Sequence, residues 1–150
     1  MRSVLAFLLM LLVVAPSAEA ARKSGEAIFD AGTLVAAVSL ETQTMKVIVD
    51  GYERYVWPVS TGAGGYATPK GIYGAEWLSK HHRSTKYNGA PMPYAIFFYH
   101  GYAVHGTDQL SRLGRPASHG CVRLDPENAA ILFSLAQSMG LDRMTVVIGD

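Results

Sequence analysis

No second cysteine accompanies Cys121 in the 150-residue chain, so no disulfide can form within it. Charge of one sign is equally scarce: 13 Lys and Arg stand against 12 Asp and Glu, a net charge of +1. Such a balance supplies no field to gather nucleic acid or an anionic membrane surface, and it points to no partner. The paired spacings of common metal sites, Cys-x-x-Cys and His-Glu-x-x-His, are missing, as are internal repeats and low-complexity tracts. The longest apolar run, Val4 to Ala15, is shorter than the roughly 20 residues that span a bilayer.

That run has a different use. Arg2 gives it a basic start, and Ala18, Glu19 and Ala20 form a small-x-small cleavage pattern, so residues 1–20 read as a secretory signal peptide. Its removal leaves 12 positive and 11 negative groups and the same net charge. Residues 21–32 form a polar lead-in, and residues 33–150 are long enough for one domain with its own core. Export also sharpens the question posed by Cys121. An unpartnered cysteine in an oxidising compartment is a buried inert thiol, an intermolecular link or a reactive group.

Along the domain, Leu34 to Leu40 and Met45 to Asp50 are apolar, β-branched runs that predict a hairpin. Tyr52 to Ser60 follows a second turn, and Pro58 confines that strand to a sheet edge or ends it. The glycine-rich Thr61 to Gly71 lacks the Gly-Lys-Ser/Thr helix opening of a phosphate loop and reads as a wide turn before a strand at Ile72 to Trp77. Leu78 to Pro93 shows no sustained period and is expected to be a surface excursion, a lid or binding loop. Strands are expected at Tyr94 to Tyr99, Tyr102 to His105 and Thr145 to Ile148. A helix is expected between the Asp125 cap, with Pro126 at its first position, and Gly140. The pattern is that of a mainly β, β-rich α+β domain with one main helix.

Chemistry concentrates in Ala103-Val-His-Gly-Thr-Asp108 and Ser118-His-Gly-Cys-Val-Arg-Leu124. A thiol attacks carbonyl carbon as thiolate, and a pKa of about 8.5 leaves little thiolate at neutral pH unless an imidazolium or aligned N–H dipoles lower it. His105, at a strand end, and His119, two residues before the cysteine, are the available imidazoles. Gly120 permits a sharp turn and close approach of substrate, so the N–H groups of Gly120 and Cys121 are candidates to face an oxyanion. Arg123 can bind a carboxylate through two parallel hydrogen bonds. Blander readings stand beside these: Arg123 paired with Asp125, His105 as a packed strand residue, or His100, His105, His119 and Cys121 as zinc ligands.

The His-Gly-Thr at 105–107 and the Ser-His-Gly-Cys-Val-Arg at 118–123 resemble the signature of the L,D-transpeptidase (YkuD-type) catalytic domain. The resemblance extends through Val59-Ser-Thr-Gly62, Thr68-Pro-Lys-Gly71 and Met92-Pro-Tyr94, covering roughly Leu34 to Ile148. It implies a β-sandwich-like fold of mixed sheets and an exported enzyme of the periplasm or cell wall. The implied substrate is a peptidoglycan tetrapeptide stem, cleaved before its terminal D-Ala through a cysteine thioester. It further implies Cys121 as nucleophile, His105 as base and the Gly106 carbonyl as the group orienting its ring. His119 and Gly120 would shape the oxyanion site, Ser118 and Arg123 would hold or support the substrate end, and Met92 and Tyr94 would wall the cleft. No cofactor is implied, since a pre-existing peptide bond supplies the acyl group. The acceptor would be a stem amine giving 3-3 cross-links, a lysine of an envelope protein, or water in an L,D-carboxypeptidase; a non-catalytic peptidoglycan-binding module is the remaining alternative.

Overall fold

A computed structural model describes residues 32–150. The signal-peptide expectation at 1–20, and all of the lead-in except Gly32, lie outside the described residues. Period-two alternation builds the first hairpin, β1 (Leu34–Ser39) and β2 (Thr44–Val49), whose inward residues Leu34, Ala36, Val38, Met45 and Val47 are buried. Then come β3 (Tyr52–Pro58), β4 (Gly71–Gly74), β5 (Trp77–Arg83), β6 (Pro91–Tyr99), β7 (Tyr102–Gly106) and β8 (Val122–Leu124). Helix α1 (Pro126–Met139) and β9 (Met144–Gly149) complete the chain, with short 3₁₀ turns at Leu110–Arg112 and Leu141–Arg143.

Two mixed sheets result. One has the order β3-β2-β1-β9-β4, with β1 parallel to β9, and the other the order β5-β6-β7-β8, with β7 parallel to β8. Pro58 therefore sits on an edge strand, where its missing N–H costs no ladder bond. The core lies where inner faces meet: Val146 and Ile148 of β9 join Ile96 and Phe98 of β6, Val104 of β7, Val122 and Leu124 of β8, and Leu132 and Ala136 of α1. Each fully buried large side chain there contributes about 1.5–3 kcal/mol of burial. The helix begins as its sequence dictates. The Asp125 carboxylate accepts the Glu127 N–H at 2.8 Å, Pro126 occupies the first turn, and Gly140, at φ +99°, ends it.

The expected excursion at 78–93 is corrected. Its two ends are the paired strands β5 and β6, and only residues 84–90 bridge them. Strand β5 is an edge strand exposed along most of its length, so no core demanded alternation from Trp77-Leu-Ser-Lys-His-His-Arg83. Its cross-strand pairing with β6 is what makes it a strand.

Candidate active site

The parallel register of β7 and β8 pairs Val104 with Val122 and His105 with Arg123. Because successive side chains alternate, Val104, Val122 and Leu124 point into the core. His105 and Arg123 take the opposite face, and Cys121, one residue before β8, packs there against a small cluster of Met92, Ala95, Phe97 and Ala103. His105 and Cys121 border one cleft of about 320 Å³, together with Met92, Thr107, Asp108 and Arg123. A second cleft, of about 420 Å³, reaches Cys121 from the side of Trp77, Phe97 and Tyr102.

The His105 ring is buried and its Nδ1 lies 2.7 Å from the Gly106 carbonyl. A carbonyl only accepts, so Nδ1 carries the proton and Nε2 is left as the basic nitrogen. Burial, the largest influence, opposed by the Gly106 carbonyl and aided by the Arg123 and His82 charges, lowers the His105 pKa to about 4. Burial likewise pushes the Cys121 thiol above its ordinary value, against the smaller opposing pull of the Ala103 N–H and the Arg123 charge. The two groups that share this cleft are thus, at rest, a neutral imidazole and a neutral thiol.

The loop carrying Cys121 is held by buried hydroxyls. Ser118 Oγ donates to the Cys121 carbonyl at 2.6 Å and accepts the Gly120 N–H at 3.0 Å. Thr68 Oγ1 donates to the Gly120 carbonyl at 2.7 Å and accepts the Gly62 N–H at 2.9 Å. The Thr61 carbonyl receives the N–H groups of Ala117 and Ser118, both at 2.9 Å, while Gln43 holds Thr61 through two buried hydrogen bonds of 2.7 and 3.0 Å. A polar relay therefore runs from the β1–β2 turn to the loop that carries Cys121. Gly120 closes that loop at φ +112°, and a Cβ there would come 2.5 Å from Tyr102 Cε1.

Most predicted residues converge; some do so in unexpected ways. The Gly120 N–H, a candidate oxyanion donor, is already spent on Ser118 Oγ. Ser118 is buried and supports the loop rather than presenting a free hydroxyl. His119 is exposed, its ring stacked on Tyr87 (4.6 Å, 19°) and met edge-on by Tyr66 (4.6 Å, 81°), which ties the 84–90 and 61–70 loops together. Arg123 is half-buried and does not pair with Asp125; its Nη1 reaches only Gln109 Oε1 at 3.3 Å and the Ala117 carbonyl at 3.4 Å. Met92 walls both clefts, but Tyr94 borders neither and packs edge-on against Phe133 of α1. The cause is its φ of +55°, which breaks the alternation after Met92 and turns Tyr94 to the core side. Among the described residues His100, His105, His119 and Cys121 do not gather into a cluster able to hold a metal ion. Among the same residues no helix is long and apolar enough to cross a membrane.

Sequence and structure agree on where this arrangement belongs. The family model of the L,D-transpeptidase catalytic domain (YkuD) matches residues 34–148, and the chain belongs to that family. Its structure is similar to an L,D-transpeptidase from Stackebrandtia nassauensis, at 31% identity and a TM-score of 0.67 over 77% of this chain and 55% of that one. An L,D-transpeptidase from Mycobacterium tuberculosis H37Rv superposes at 25% identity and a TM-score of 0.69, over 79% and 58% of the two chains. One from Xylanimonas cellulosilytica does so at 26% and 0.64, over 90% and 70%. The chain thus spans less than two thirds of the length of the Stackebrandtia and Mycobacterium proteins. No curated protein matches the chain.

Proposed function

We propose that this chain is an exported peptidoglycan L,D-transpeptidase working by acyl transfer through a Cys121 thioester. One observation carries the reading: His105, with Nδ1 fixed on the Gly106 carbonyl, shares a cleft with Cys121 on the outer face of adjacent parallel strands. Cys121 Sγ attacks the carbonyl carbon before the terminal D-Ala of a tetrapeptide stem as its proton passes to His105 Nε2. The C–N bond then breaks, the same proton goes to the departing D-Ala amine, and the acyl group remains on sulfur. An acceptor amine attacks the thioester, gives its proton to His105, and the thiolate leaving group recovers a proton from the ring. Arg123 meets the carboxylate of the departing D-Ala, and, with the Gly120 N–H held by Ser118, the remaining N–H groups of the His119–Cys121 turn face the developing oxyanion. The signal-like pattern at 1–20 and a substrate that lies outside the cytoplasmic membrane agree on export to the periplasm or wall.

The test is direct. Protein beginning after residue 20, mixed with tetrapeptide muropeptide, releases D-Ala and transfers the acyl group to added amines, both followed by mass spectrometry. Cys121→Ala abolishes release while its melting curve stays within a degree or two of native. An intact native fold that releases no D-Ala with any acceptor refutes the reading; undiminished release by Cys121→Ala removes the nucleophile.

A further inference from the structure

Two clefts meet at Cys121, and their walls differ in charge. Ser84, Tyr87, Met92, His119 and Cys121 are common to both, but His105, Asp108 and Arg123 border only the first. The second is bordered by His82, Lys86 and His100 and by no Asp or Glu. Its floor is the stacked pair Trp77 and Phe97, 3.7 Å apart and 2° from parallel, with the His82 ring edge-on to both. Lys86 stands in the 84–90 turn above it, with Nζ 5.5 Å from the Tyr87 ring. A chain of net charge +1 has placed a lysine, and no carboxylate to offset it, on one side of Cys121.

Proton traffic decides which half of the substrate meets that wall. His105 must protonate the leaving nitrogen and later deprotonate the incoming one, so both nitrogens occupy in turn the first cleft, where His105 is. The acyl half of the substrate then extends from the sulfur into the second. We propose that this second cleft is the acyl-donor subsite and that Lys86, on its wall, selects donor stems carrying a free carboxylate on the acyl side of the scissile bond over stems in which that carboxylate is an amide. Trp77 and Phe97 give the aliphatic part of the stem an apolar floor, and Lys86 gives its anionic group a counter-charge. This inference rests on the L,D-transpeptidase reading of the site.

The experiment uses two synthetic tetrapeptide donors that differ only in one acyl-side group, free carboxylate or primary amide, and compares kcat/KM for D-Ala release. An exposed ion pair supports a preference of about three- to fivefold for the carboxylate, carried in KM and weakened by added salt. Lys86→Gln brings the ratio of the two kcat/KM values toward one, and Lys86→Glu inverts it. Lys46→Gln makes the same charge change on β2, where Lys46 pairs with Glu53 at 2.9 Å, and keeps the native ratio. Equal kcat/KM for the two donors with native protein overturns the subsite assignment while leaving the transpeptidase reading intact. So does a carboxylate preference that survives in Lys86→Glu. Release from neither donor overturns both.

Discussion

Thr68 lies far in sequence from Cys121, yet its one hydroxyl holds the Cys121 loop in place. Oγ1 donates to the Gly120 carbonyl and accepts the Gly62 N–H, and the residue is 5% exposed. Thr68→Val keeps the shape and removes both bonds, leaving a buried carbonyl and a largely buried N–H without partners. Each such orphan costs about 1–3 kcal/mol, so the variant loses roughly 3 kcal/mol. For a domain of this size that lowers Tm by about 10 °C. Chemistry suffers separately, because Gly120 precedes Cys121, and a shift of about 1 Å in the sulfur costs on the order of a hundredfold in rate. Thr68→Ser retains the hydroxyl and stays near native in both respects. Calorimetry and D-Ala release, run on the native protein and both variants, check the prediction. A Thr68→Val protein melting within 2 °C of native with an unchanged rate refutes the claim that this hydroxyl positions the loop.

Gly120→Ala, which forces a Cβ to within 2.5 Å of Tyr102 at a φ of +112°, costs more stability in a denaturant melt than Gly114→Ala, whose φ is +86° but whose added Cβ meets nothing within 4 Å. Tyr87→Ala removes a ring stack worth about 0.5–1.5 kcal/mol, so KM for the stem rises by up to about tenfold while Tyr87→Phe stays near native in steady-state kinetics. For His105 the folded pKa of about 4 lies below the ordinary 6.5, so the unfolded chain binds the extra proton between those values. Its contribution is therefore full above pH 6.5 and lost as pH falls to about 4, a change of about 3 kcal/mol that guanidinium melts detect in native protein and lose in His105→Gln.

How much of this was legible in the residues follows from the kind of signal each element carries. Strands β1 and β2 bury one face, so alternation announced them; α1 carries its own start and stop in Asp125, Pro126 and Gly140. His105 and Cys121 stood out because glycines flank them, and the parallel β7–β8 pair brings them to one face. Strand β5 stayed hidden because an exposed edge strand needs no pattern, and the three-residue β8 because Val122 and Leu124 alone are too short a period to read. Tyr94 was misplaced because a positive φ reverses the count of faces, and no residue type at that position signals it. The Tyr66–His119–Tyr87 stack and the relay from Gln43 through Thr61 to Ser118 join segments distant in sequence, where local pattern carries no information.

Burial of His105 and Cys121 acts on their protons in opposite directions that reinforce one state. It lowers the affinity of the imidazole for a proton and raises that of the sulfur, so separated charge is disfavoured until something else stabilises it. The thiol is then a poor target for oxidation between turnovers, since susceptibility follows thiolate character and exposure. On the proposed mechanism a bound carbonyl changes the balance, because the negative charge passes from sulfur to the carbonyl oxygen as the new bond forms. There the hydrogen bonds that position the nucleophile loop count for more than they would in solution. On this account the buried hydroxyls of Thr68 and Ser118 are as much part of the reactivity of Cys121 as the ring of His105. On the proposed mechanism they set where the sulfur meets the substrate carbonyl, and the ring moves one proton out and back.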